Sequence, residues 1–171
     1  VLTIFELLGI KEKIENFGFQ RKKGLYMEWG KERWKVNFDQ LKGDSTYSYQ
    51  VSRDQFDELM LNHAKECGVA VFEGFKVDKI NREGDRPVSV NWGGAGNKGN
   101  ISFDYLVDAS GRAGLMANKY LKNRDFHPIF KNVAIWGYWE GCKLLEKIPE
   151  GAIANSAIKD GWLWAIPLSG G

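Results

Sequence analysis

The stretch SRDQFDELMLNHAKECG, residues 52–68, carries the pattern of one complete amphipathic helix. Ser52 can cap the first turn, and Gln55 three residues later completes a capping box. Gly68 suits the position after the last turn, where a left-handed backbone is common. Apolar residues recur at three- and four-residue spacing, so one side of the helix is predicted to pack against a core. That side comprises Phe56, Leu59, Met60, His63, Ala64 and Cys67.

Segments rich in aromatic and β-branched residues lie on both sides of this helix and predict strands. An N-terminal helix is predicted over residues 3–17, loosened at Gly9. The predicted strands lie within 24–30, 33–41, 46–51, 69–80, 86–92, 100–109, 133–141, 151–158 and 161–168. Helices and strands in this order predict a mixed α/β fold, in which the strands after residue 133 form a second sheet.

The strand predicted over 100–109 ends in an almost unbroken apolar run, which is typical of a strand buried in a parallel sheet. The residues at its end are Asp108, Ala109, Ser110, Gly111 and Arg112. Small residues at the carboxyl end of such a strand let the backbone approach a ligand. A tight turn into a short helix near Ala113 would explain the same residues without a ligand.

The glycine-rich loop GGAGNKG, residues 93–99, contains the spacing G-x-G-x-x-G. A dinucleotide-binding turn must follow a strand and open a helix, because the helix N-terminus holds the pyrophosphate. Here a predicted strand follows the loop instead. We therefore interpret the loop as a hairpin connection and not as a nucleotide site.

Composition excludes several classes of function. The 171 residues are 43% hydrophobic and 27% charged, which is ordinary for a globular protein. The net charge is +2 with both signs interspersed, so no basic surface for nucleic acid is predicted. The sequence contains no run of about 18 apolar residues, so no membrane span is predicted. Seven tryptophans fit either an aromatic core or a pocket for a planar ligand.

Cysteine and histidine are scarce in this chain. Cys67 and Cys142 form neither a disulfide framework nor a metal motif, which fits a reducing cytoplasm. The two histidines, His63 and His127, show no ligand-pair spacing with them, so no metal site is predicted. His63 and Cys67 fall on the predicted buried side of the helix, which favours a role in the core.

Two longer stretches together resemble a family of flavoproteins. The residues 51–77, VSRDQFDELMLNHAKECGVAVFEGFKV, followed by 103–117, FDYLVDASGRAGLMA, resemble the central part of the para-hydroxybenzoate-hydroxylase type of FAD fold. That superfamily includes aromatic monooxygenases, geranylgeranyl reductases and flavin-dependent halogenases. The resemblance implies a mixed α+β fold with an antiparallel sheet on the substrate side.

The segment WLWAIP, residues 162–167, separates these relatives from one another. It matches the halogenase signature W-x-W-x-I-P at Trp162, Trp164, Ile166 and Pro167. The chain therefore resembles flavin-dependent halogenases over nearly its whole length. In that family, reduced FAD (FADH2) and oxygen convert chloride or bromide into hypohalous acid, which travels to a lysine beside the substrate.

The segment GFQRKKGLYMEWG, residues 18–30, resembles the halogenase segment that carries this lysine. Phenol- and pyrrole-acting members have the pattern K-x-G, and here Lys22 precedes Gly24. An ammonium can polarise the halogen, and an amine with a pKa lowered by burial can capture it. The charges of Arg21 and Lys23 also disfavour the charged form. Lys22 is thus the predicted catalytic lysine, whereas without the resemblance the three basic residues fit a solvated cluster.

The tryptophans of the motif alternate along a predicted strand. Trp162, Trp164 and Ile166 therefore point to one face, where two indoles make a rigid apolar wall. The resemblance places this wall, with Pro167 after it, between flavin and substrate. There it would admit halide and hypohalous acid but keep the organic substrate from the flavin. Two core tryptophans on a sheet would give the same pattern.

The resemblance also implies residues that contact the flavin. A guanidinium in the first turn of a helix suits an anionic group, because the helix N-terminus is itself positive. The same arginine could be a surface residue paired with the aspartates of its own turn. The implied flavin contacts are Arg53, Val77, Asp108, Ala109 and Gly111.

Both ends of the sequence are abrupt. It starts without methionine in what reads as a helix, and it stops in glycines soon after the tryptophan motif. A complete halogenase would start with a glycine-rich nucleotide-binding unit, G-x-G-x-x-G, and continue beyond the motif. We therefore expect residues 1–171 to be a single internal piece of a halogenase that binds FAD weakly on its own.

Two other functions fit the sequence. The first is an FAD-dependent aromatic monooxygenase or reductase of the same superfamily, in which the substrate meets the flavin directly. The second is a non-catalytic binding domain with an aromatic-lined pocket. The W-x-W-x-I-P motif and the K-x-G lysine favour the halogenase.

The halogenase interpretation implies particular partners. The substrate is expected to be an electron-rich aromatic, a phenol or pyrrole rather than free tryptophan, and in this family such substrates are often tethered to a carrier protein. A separate flavin reductase would supply FADH2. A cytoplasmic protein without nucleic-acid or membrane partners is expected.

Overall fold

The computed structural model describes residues 1–41, 43, 46–143 and 145–169. The chain divides into two compact units. Val1–Val71 and Gly137–Gly171 form the first unit, and Phe72–Trp136 form the second. The first unit is therefore assembled from two separate segments of the sequence, with the second unit inserted between them.

The first unit begins with two short helices, α1 (Leu2–Leu7) and α2 (Lys11–Phe17). Gly9 separates them with a φ of 67°, a left-handed backbone that glycine adopts without strain. The single helix predicted over 3–17 is therefore two helices, broken at the glycine. Their apolar sides supply the buried core of this unit, which comprises Leu2, Phe5, Ile10, Ile14 and Phe19.

Helix α3 (Arg53–Glu66) confirms the predicted amphipathic helix. Phe56, Leu59 and Met60 on its apolar side pack against the buried core. Gly68 follows the helix with a φ of 88°, the left-handed conformation predicted for this position. Local pattern alone was sufficient to locate this element.

Two details of the predicted helix are wrong. The capping box does not form, because the Ser52 hydroxyl donates to the Asp54 carboxylate, a stronger charged acceptor, and makes no capping bond. Cys67 is exposed, since it lies beyond the last helical residue. His63 does have a structural contact, because its Nε2 lies 2.8 Å from the carbonyl oxygen of Leu8.

The strands of the first unit form two sheets. In the smaller sheet, β1 (Gln20–Lys22) pairs antiparallel with β4 (Ser48–Gln50). The larger sheet contains, in spatial order, β3 (Glu32–Asn37), β2 (Gly24–Trp29), β8 (Ile153–Ile158) and β9 (Gly161–Ala165). β2 and β8 are parallel, whereas the other neighbours are antiparallel. Apart from β1, these strands lie in segments predicted from the sequence. The separate second sheet predicted after residue 133 is wrong, because β8 pairs with β2 and joins β9 to the sheet of β2 and β3.

The second unit is built on an antiparallel meander. Its strands are β5 (Lys76–Glu83), β6 (Arg86–Gly94) and β7 (Asn97–Ser102). Ile80 and Val90 lie opposite each other and are buried. Ala95 and Gly96 join β6 to β7 with φ angles of 49° and 78°, which make a tight hairpin turn. The loop 93–99 is therefore a hairpin connection, as predicted.

The buried strand predicted over 100–109 is wrong beyond Ser102, where β7 ends. Residues 103–110 form no strand, and Tyr105 and Val107 are 91% and 87% exposed. A strand in a parallel sheet needs parallel neighbours, and within the described residues β7 pairs with β6 alone. A 3-10 turn (Gly111–Ala113) and a π-helical turn (Met116–Leu121) follow, in agreement with the predicted short helix.

Two further predicted strands differ from the structure. The strand predicted over 69–80 begins only at Lys76. Residues 133–141 form no strand, and Val133 and Ile135 are exposed. The alternating pattern is present in the sequence, but a strand also needs a neighbouring backbone, and no described strand pairs with this segment.

Candidate functional site

Lys22 is the last residue of β1, where it lies opposite Ser48. Its side chain is half-buried, and its Nζ lies 5.6 Å from the centre of the Phe38 ring. An ammonium over an aromatic face at this distance is attracted by the ring. Burial lowers the pKa of Lys22, because removal from water disfavours the charged form. A lysine in these conditions has a larger share of neutral, nucleophilic amine.

Three consecutive basic residues contact three different groups. The guanidinium of Arg21 lies 4.8 Å from the centre of the Tyr47 ring. Lys23 binds Glu150, with 2.6 Å between Nζ and the carboxylate oxygen. Among the described residues, no carboxylate lies within ion-pair distance of Lys22. Lys22 therefore differs from Lys23, whose charge is held by a counter-charge.

Gly24 provides the close packing that fixes the chain after Lys22. A Cβ at Gly24 would lie 2.2 Å from the carbonyl oxygen of Val36 and 2.7 Å from the side chain of Pro149. These distances are shorter than any van der Waals contact of a carbon atom, so only a residue without a Cβ atom, glycine, fits here. The glycine of the K-x-G pattern thus has a packing reason within this fold.

Trp162 and Trp164 lie on one face of the larger sheet, on strand β9. Their ring centres are 6.1 Å apart and their planes are inclined by 56°. They are 41% and 57% exposed, so they form an open aromatic surface and not the core of this unit. Ile166, also exposed, and the half-buried Pro167 follow the end of the strand.

Strand direction shows which end of the tryptophan motif lies toward the lysine. β9 is antiparallel to β8, and β8 is parallel to β2. The start of β2, which follows Lys22, is therefore at the same end of the sheet as the carboxyl end of β9. Ile166 and Pro167 continue from that end, whereas Trp162 lies four residues before Ile166, roughly 13 Å away toward the opposite end of the sheet.

Trp29 and Trp34, which belong to no motif of the sequence, extend the aromatic surface. Met27 pairs with Trp34 on one side and with Asn155 on the other, and Asn155 pairs with Trp164. Residues paired in this way share a face, so Trp34 and Trp164 lie on the same side of the sheet. Trp29, two residues after Met27, also points to that side.

The turn after the meander of the second unit is held by Asp108. Its carboxylate accepts hydrogen bonds from the backbone N–H groups of Ser110, at 3.0 Å, and Met116, at 2.7 Å. Hydrogen bonding from the Ser110 hydroxyl, followed by that from the Met116 and Ser110 backbone N–H groups, lowers the pKa of Asp108. Ala109 and Gly111 are exposed, and the space around Gly111 is open. The structure thus brings three of the implied flavin contacts into one preformed turn.

The other two implied flavin contacts lie elsewhere. Arg53, in the first unit, donates two hydrogen bonds to the Asp57 carboxylate, at 3.1 and 3.0 Å. Val77, in the second unit, lies on β5 opposite Trp92 and is exposed. The structure therefore shows Arg53 already paired with an acid of its own helix.

Two open clefts in the second unit are not lined by any of these residues. The first, of about 700 Å³, is lined by Arg86, Pro87, Asp104, Tyr105 and Leu106. The second, of about 480 Å³, lies over Asn91 and Asn100 on the meander. Within the described part of the chain, no cluster of three or more His, Cys, Asp or Glu side chains could hold a metal ion. No described helix has the length and apolar character of a membrane span.

Residues 37–171 match the model of the tryptophan halogenase family. The chain belongs to this family. It is 47% identical over 170 residues to the tryptophan 2-halogenase of Chondromyces crocatus, and the match covers 98% of this chain and 32% of that protein. It is 42% identical over 173 residues to the flavin-dependent halogenase armH3 of Armillaria mellea, covering 96% of this chain and 34% of that protein.

Among solved structures, this chain is similar to the myxobacterial chondrochloren halogenase CndH, described as a new variant of FAD-dependent halogenases. The TM-score is 0.82 and the identity 33%, over 97% of this chain and 39% of that one. FAD-dependent halogenases share the para-hydroxybenzoate-hydroxylase-like fold, so the predicted fold class is confirmed. The chain spans about a third of the length of the curated relatives it matches.

A flavin-dependent halogenase has to accommodate FAD, and the Asp108 turn fits such a ligand. Its backbone is exposed at Ala109 and Gly111, where small residues allow close approach. Two hydrogen bonds to Asp108 fix the turn before any ligand arrives. Arg53 is less suited to bind FAD, because an anionic group of the cofactor would have to share the guanidinium with Asp57.

In this chain, Trp162→Ala should cost about 1–2 kcal/mol of unfolding free energy, below the roughly 3–5 kcal/mol of a fully buried tryptophan. The reason is that the indole is 41% exposed in the described structure. Urea unfolding of this chain measures the difference. Leu163→Ala, on the opposite face of β9, is the matched control and should cost about 1 kcal/mol or less. A loss near the fully buried value would contradict the exposed placement.

Asp108→Ala should loosen the turn without unfolding the second unit. The Ser110 and Met116 amides lose their acceptor and should exchange with deuterium faster, which peptide-level mass spectrometry measures. The pKa of Asp108 is lower in the folded protein than in the unfolded chain. Its contribution to the stability of the folded state is therefore fully present above the ordinary aspartate pKa, and it is lost as pH falls through the folded pKa. Asp104→Ala is the control and should leave these amides protected.

Proposed function

We propose that this protein is an FADH2-dependent halogenase in which Lys22 directs hypohalous acid, made from chloride or bromide, to an electron-rich aromatic ring. The environment of Lys22 carries the proposal: burial lowers its pKa, and no described carboxylate pairs with it. Membership of the tryptophan halogenase family supports this function over a monooxygenase, a reductase or a non-catalytic binding domain.

Lys22 can act on hypohalous acid in either protonation state. As an ammonium, Nζ donates a hydrogen bond to the oxygen and draws electron density from the halogen. As a neutral amine, Nζ attacks the halogen: the nitrogen–halogen bond forms, the oxygen–halogen bond breaks, and the oxygen leaves as water with the amine proton. The aromatic carbon then takes the halogen, the ring loses a proton and the amine is regenerated. A lowered pKa favours the second route.

We assign FAD contacts to the turn at Asp108, Ala109 and Gly111 and to Val77, all in the second unit, and separately to Arg53 in the first unit. Reduced FAD, when bound, supplies with oxygen the oxidising power that turns halide into hypohalous acid. Asp108 keeps the shape of the turn through its two backbone bonds, which leaves Ala109 and Gly111 open to the ligand. Arg53 offers positive charge at a helix N-terminus to an anionic group of the cofactor.

The tryptophan motif is proposed to act as a barrier. Two half-exposed indoles on one sheet face, Trp162 and Trp164, offer a rigid apolar wall that an organic substrate cannot pass and small acids can. Ile166 and Pro167 continue the wall from the end of the sheet toward which Lys22 lies. Separation of substrate from flavin suppresses direct hydroxylation of the ring.

The substrate we propose is a phenol or pyrrole, supported by the K-x-G pattern at Lys22 and Gly24. An indole is the second candidate, favoured by the 47% identity to a protein named tryptophan 2-halogenase. We further propose that the substrate is presented on a carrier protein and that a separate flavin reductase supplies FADH2.

The experiment that tests this function uses the full-length protein with FADH2, oxygen and chloride or bromide. Monochlorodimedone reports hypohalous acid, and a panel of phenols, pyrroles and indoles, free and carrier-bound, reports the substrate class. Halide-dependent halogenation of a phenol or pyrrole is expected. Hydroxylation without halide would show a monooxygenase instead, and turnover of indoles alone would select the second substrate class.

A further inference from the structure

The aromatic ring that Lys22 contacts belongs to a phenylalanine. Phe38 lies 5.6 Å from Nζ and is half-buried. The chain also contains seven tryptophans and six tyrosines, whose rings carry an electron-donating nitrogen or oxygen. Electrophilic halogen attacks such activated rings far faster than an unsubstituted phenyl ring. The ring beside the proposed halogen-transferring amine is thus of the least reactive aromatic type.

The placement of this ring is fixed by backbone contacts next to Lys22. The N–H of Phe38 donates to the carbonyl oxygen of Lys23, at 2.9 Å. One residue before Phe38, Asn37 pairs with Gly24 in the sheet. Phe38 therefore keeps its position relative to Lys22 through the main chain, and not only through side-chain packing.

We propose that Phe38 is a positioning residue for the Lys22 amine, and that its phenyl ring is required there because an activated ring would itself take the halogen. This inference rests on the proposed function. The face of the ring holds the ammonium form by a cation–π contact, so the amine stays beside a surface that it cannot halogenate.

The nearby tyrosine is also kept in its less reactive form. The Tyr47 ring contacts Arg21, which precedes Lys22 and points to the opposite side of β1. Burial, together with donation of its hydroxyl to the Glu15 carboxylate at 3.0 Å, raises the pKa of Tyr47 to about 12. It therefore stays a phenol, and a phenol is much less nucleophilic toward halogen than a phenolate.

Phe38→Tyr places an activated ring, which reacts with electrophilic halogen, beside Lys22. The ring carbon next to the new hydroxyl attacks the halogen held at Lys22, and a carbon–halogen bond forms while the bond from halogen to nitrogen or oxygen breaks. The ring then loses its proton. Each event consumes one hypohalous acid, releases one water and replaces one hydrogen of the residue by halogen.

The test compares full-length Phe38→Tyr with Phe38→Tyr/Lys22→Ala during turnover with FADH2, oxygen and chloride, without organic substrate. Peptide mass mapping should find chlorine at residue 38 in the single variant and at least about tenfold less in the double variant, since a positioned amine raises the effective concentration of halogen. Wild type should carry none there, and Tyr47 serves as the internal reference. Equal labelling with and without Lys22, or no labelling at residue 38, overturns the inference.

Substoichiometric hypochlorite added directly to the same two variants separates this inference from the proposed function. If turnover yields no hypohalous acid, the proposed function fails. Lys22-dependent chlorine at residue 38 after hypochlorite still supports the contact, and its absence overturns the inference as well.

A second variant tests positioning without any halogen. Phe38→Leu keeps Lys22 covered but removes the aromatic face, so the charged form loses its attraction and the pKa of Lys22 should fall below that of wild type. NMR titration of ¹³C-dimethylated lysines in the full-length protein measures it, with Lys23 as control. An unchanged pKa of Lys22 contradicts the positioning role.

Discussion

Lys22→Ala in the full-length protein should abolish ring halogenation while hypohalous acid continues to form. Product formation is expected to fall by roughly 10²- to 10⁴-fold, the range for loss of a positioned proton-transfer group. The two activities separate because halide oxidation needs the flavin, whereas the lysine acts afterwards on the acid. Halogenated product is measured by mass spectrometry, and monochlorodimedone reports the acid in the same reaction.

Lys23→Ala is the matched control for this experiment. Lys23 is exposed, lies between β1 and β2 and is paired with Glu150, whereas Lys22 contacts the Phe38 ring. Most of the halogenation should therefore remain. If Lys23→Ala loses product and Lys22→Ala keeps it, the catalytic lysine is the neighbouring one. If both variants keep it, the lysine mechanism is wrong.

Gly24→Ala should destabilise the first unit by about 1–3 kcal/mol or more, the usual cost of overpacking. The added methyl group would meet the backbone of Val36 and the ring of Pro149, at 2.2 and 2.7 Å, and neither can rotate away. Urea unfolding followed by circular dichroism measures the loss. Because the glycine lies two residues after the lysine, halogenation should also fall in this variant.

Gly161→Ala is the control for Gly24→Ala. Gly161 also begins a strand of the larger sheet, but nothing described lies within 4 Å of an added Cβ. Its unfolding free energy should change by less than about 0.5 kcal/mol. Equal losses at both positions would show that the tight packing at Gly24 has no consequence.

Elements defined by local pattern were predictable from the sequence. Helix α3 and the hairpin around Gly96 both follow from residues close together in the chain. The sequence predicted a helix weakened at Gly9. The left-handed backbone at Gly9 ends the first helix completely, and the pattern alone did not indicate this. Propensity and turn chemistry act over a few residues, so sequence alone can identify their outcome.

Elements that depend on a distant partner were not predictable. The apolar run at 103–110 and the alternating segment 133–141 both have strand patterns, yet neither has a pairing strand among the described residues. Hydrogen-bonded neighbours decide whether such a segment becomes a strand, and periodicity does not contain that information.

The candidate site shows the same division. Lys22 and the tryptophan motif were found through resemblance to a family, on short contiguous patterns. Phe38 and Trp34 were missed, because their relevance depends on which face and which neighbour the fold gives them. Gly24 was recognised as part of a pattern, but the reason for a glycine there became visible only with the carbonyl of Val36 beside it.

The parallel pairing of β2 with β8 sets an order for folding during synthesis. Met27 and Asn155, which face each other across these strands, are 128 residues apart. The ribosome adds about 5–20 residues per second, so β8 is synthesised roughly 6–25 seconds after β2, the strand with which it pairs. The meander of the second unit has only short-range pairing and can form in that interval. A nascent chain therefore carries an open sheet edge at β2 for seconds, and an unpaired edge of this kind is a site at which another chain can pair.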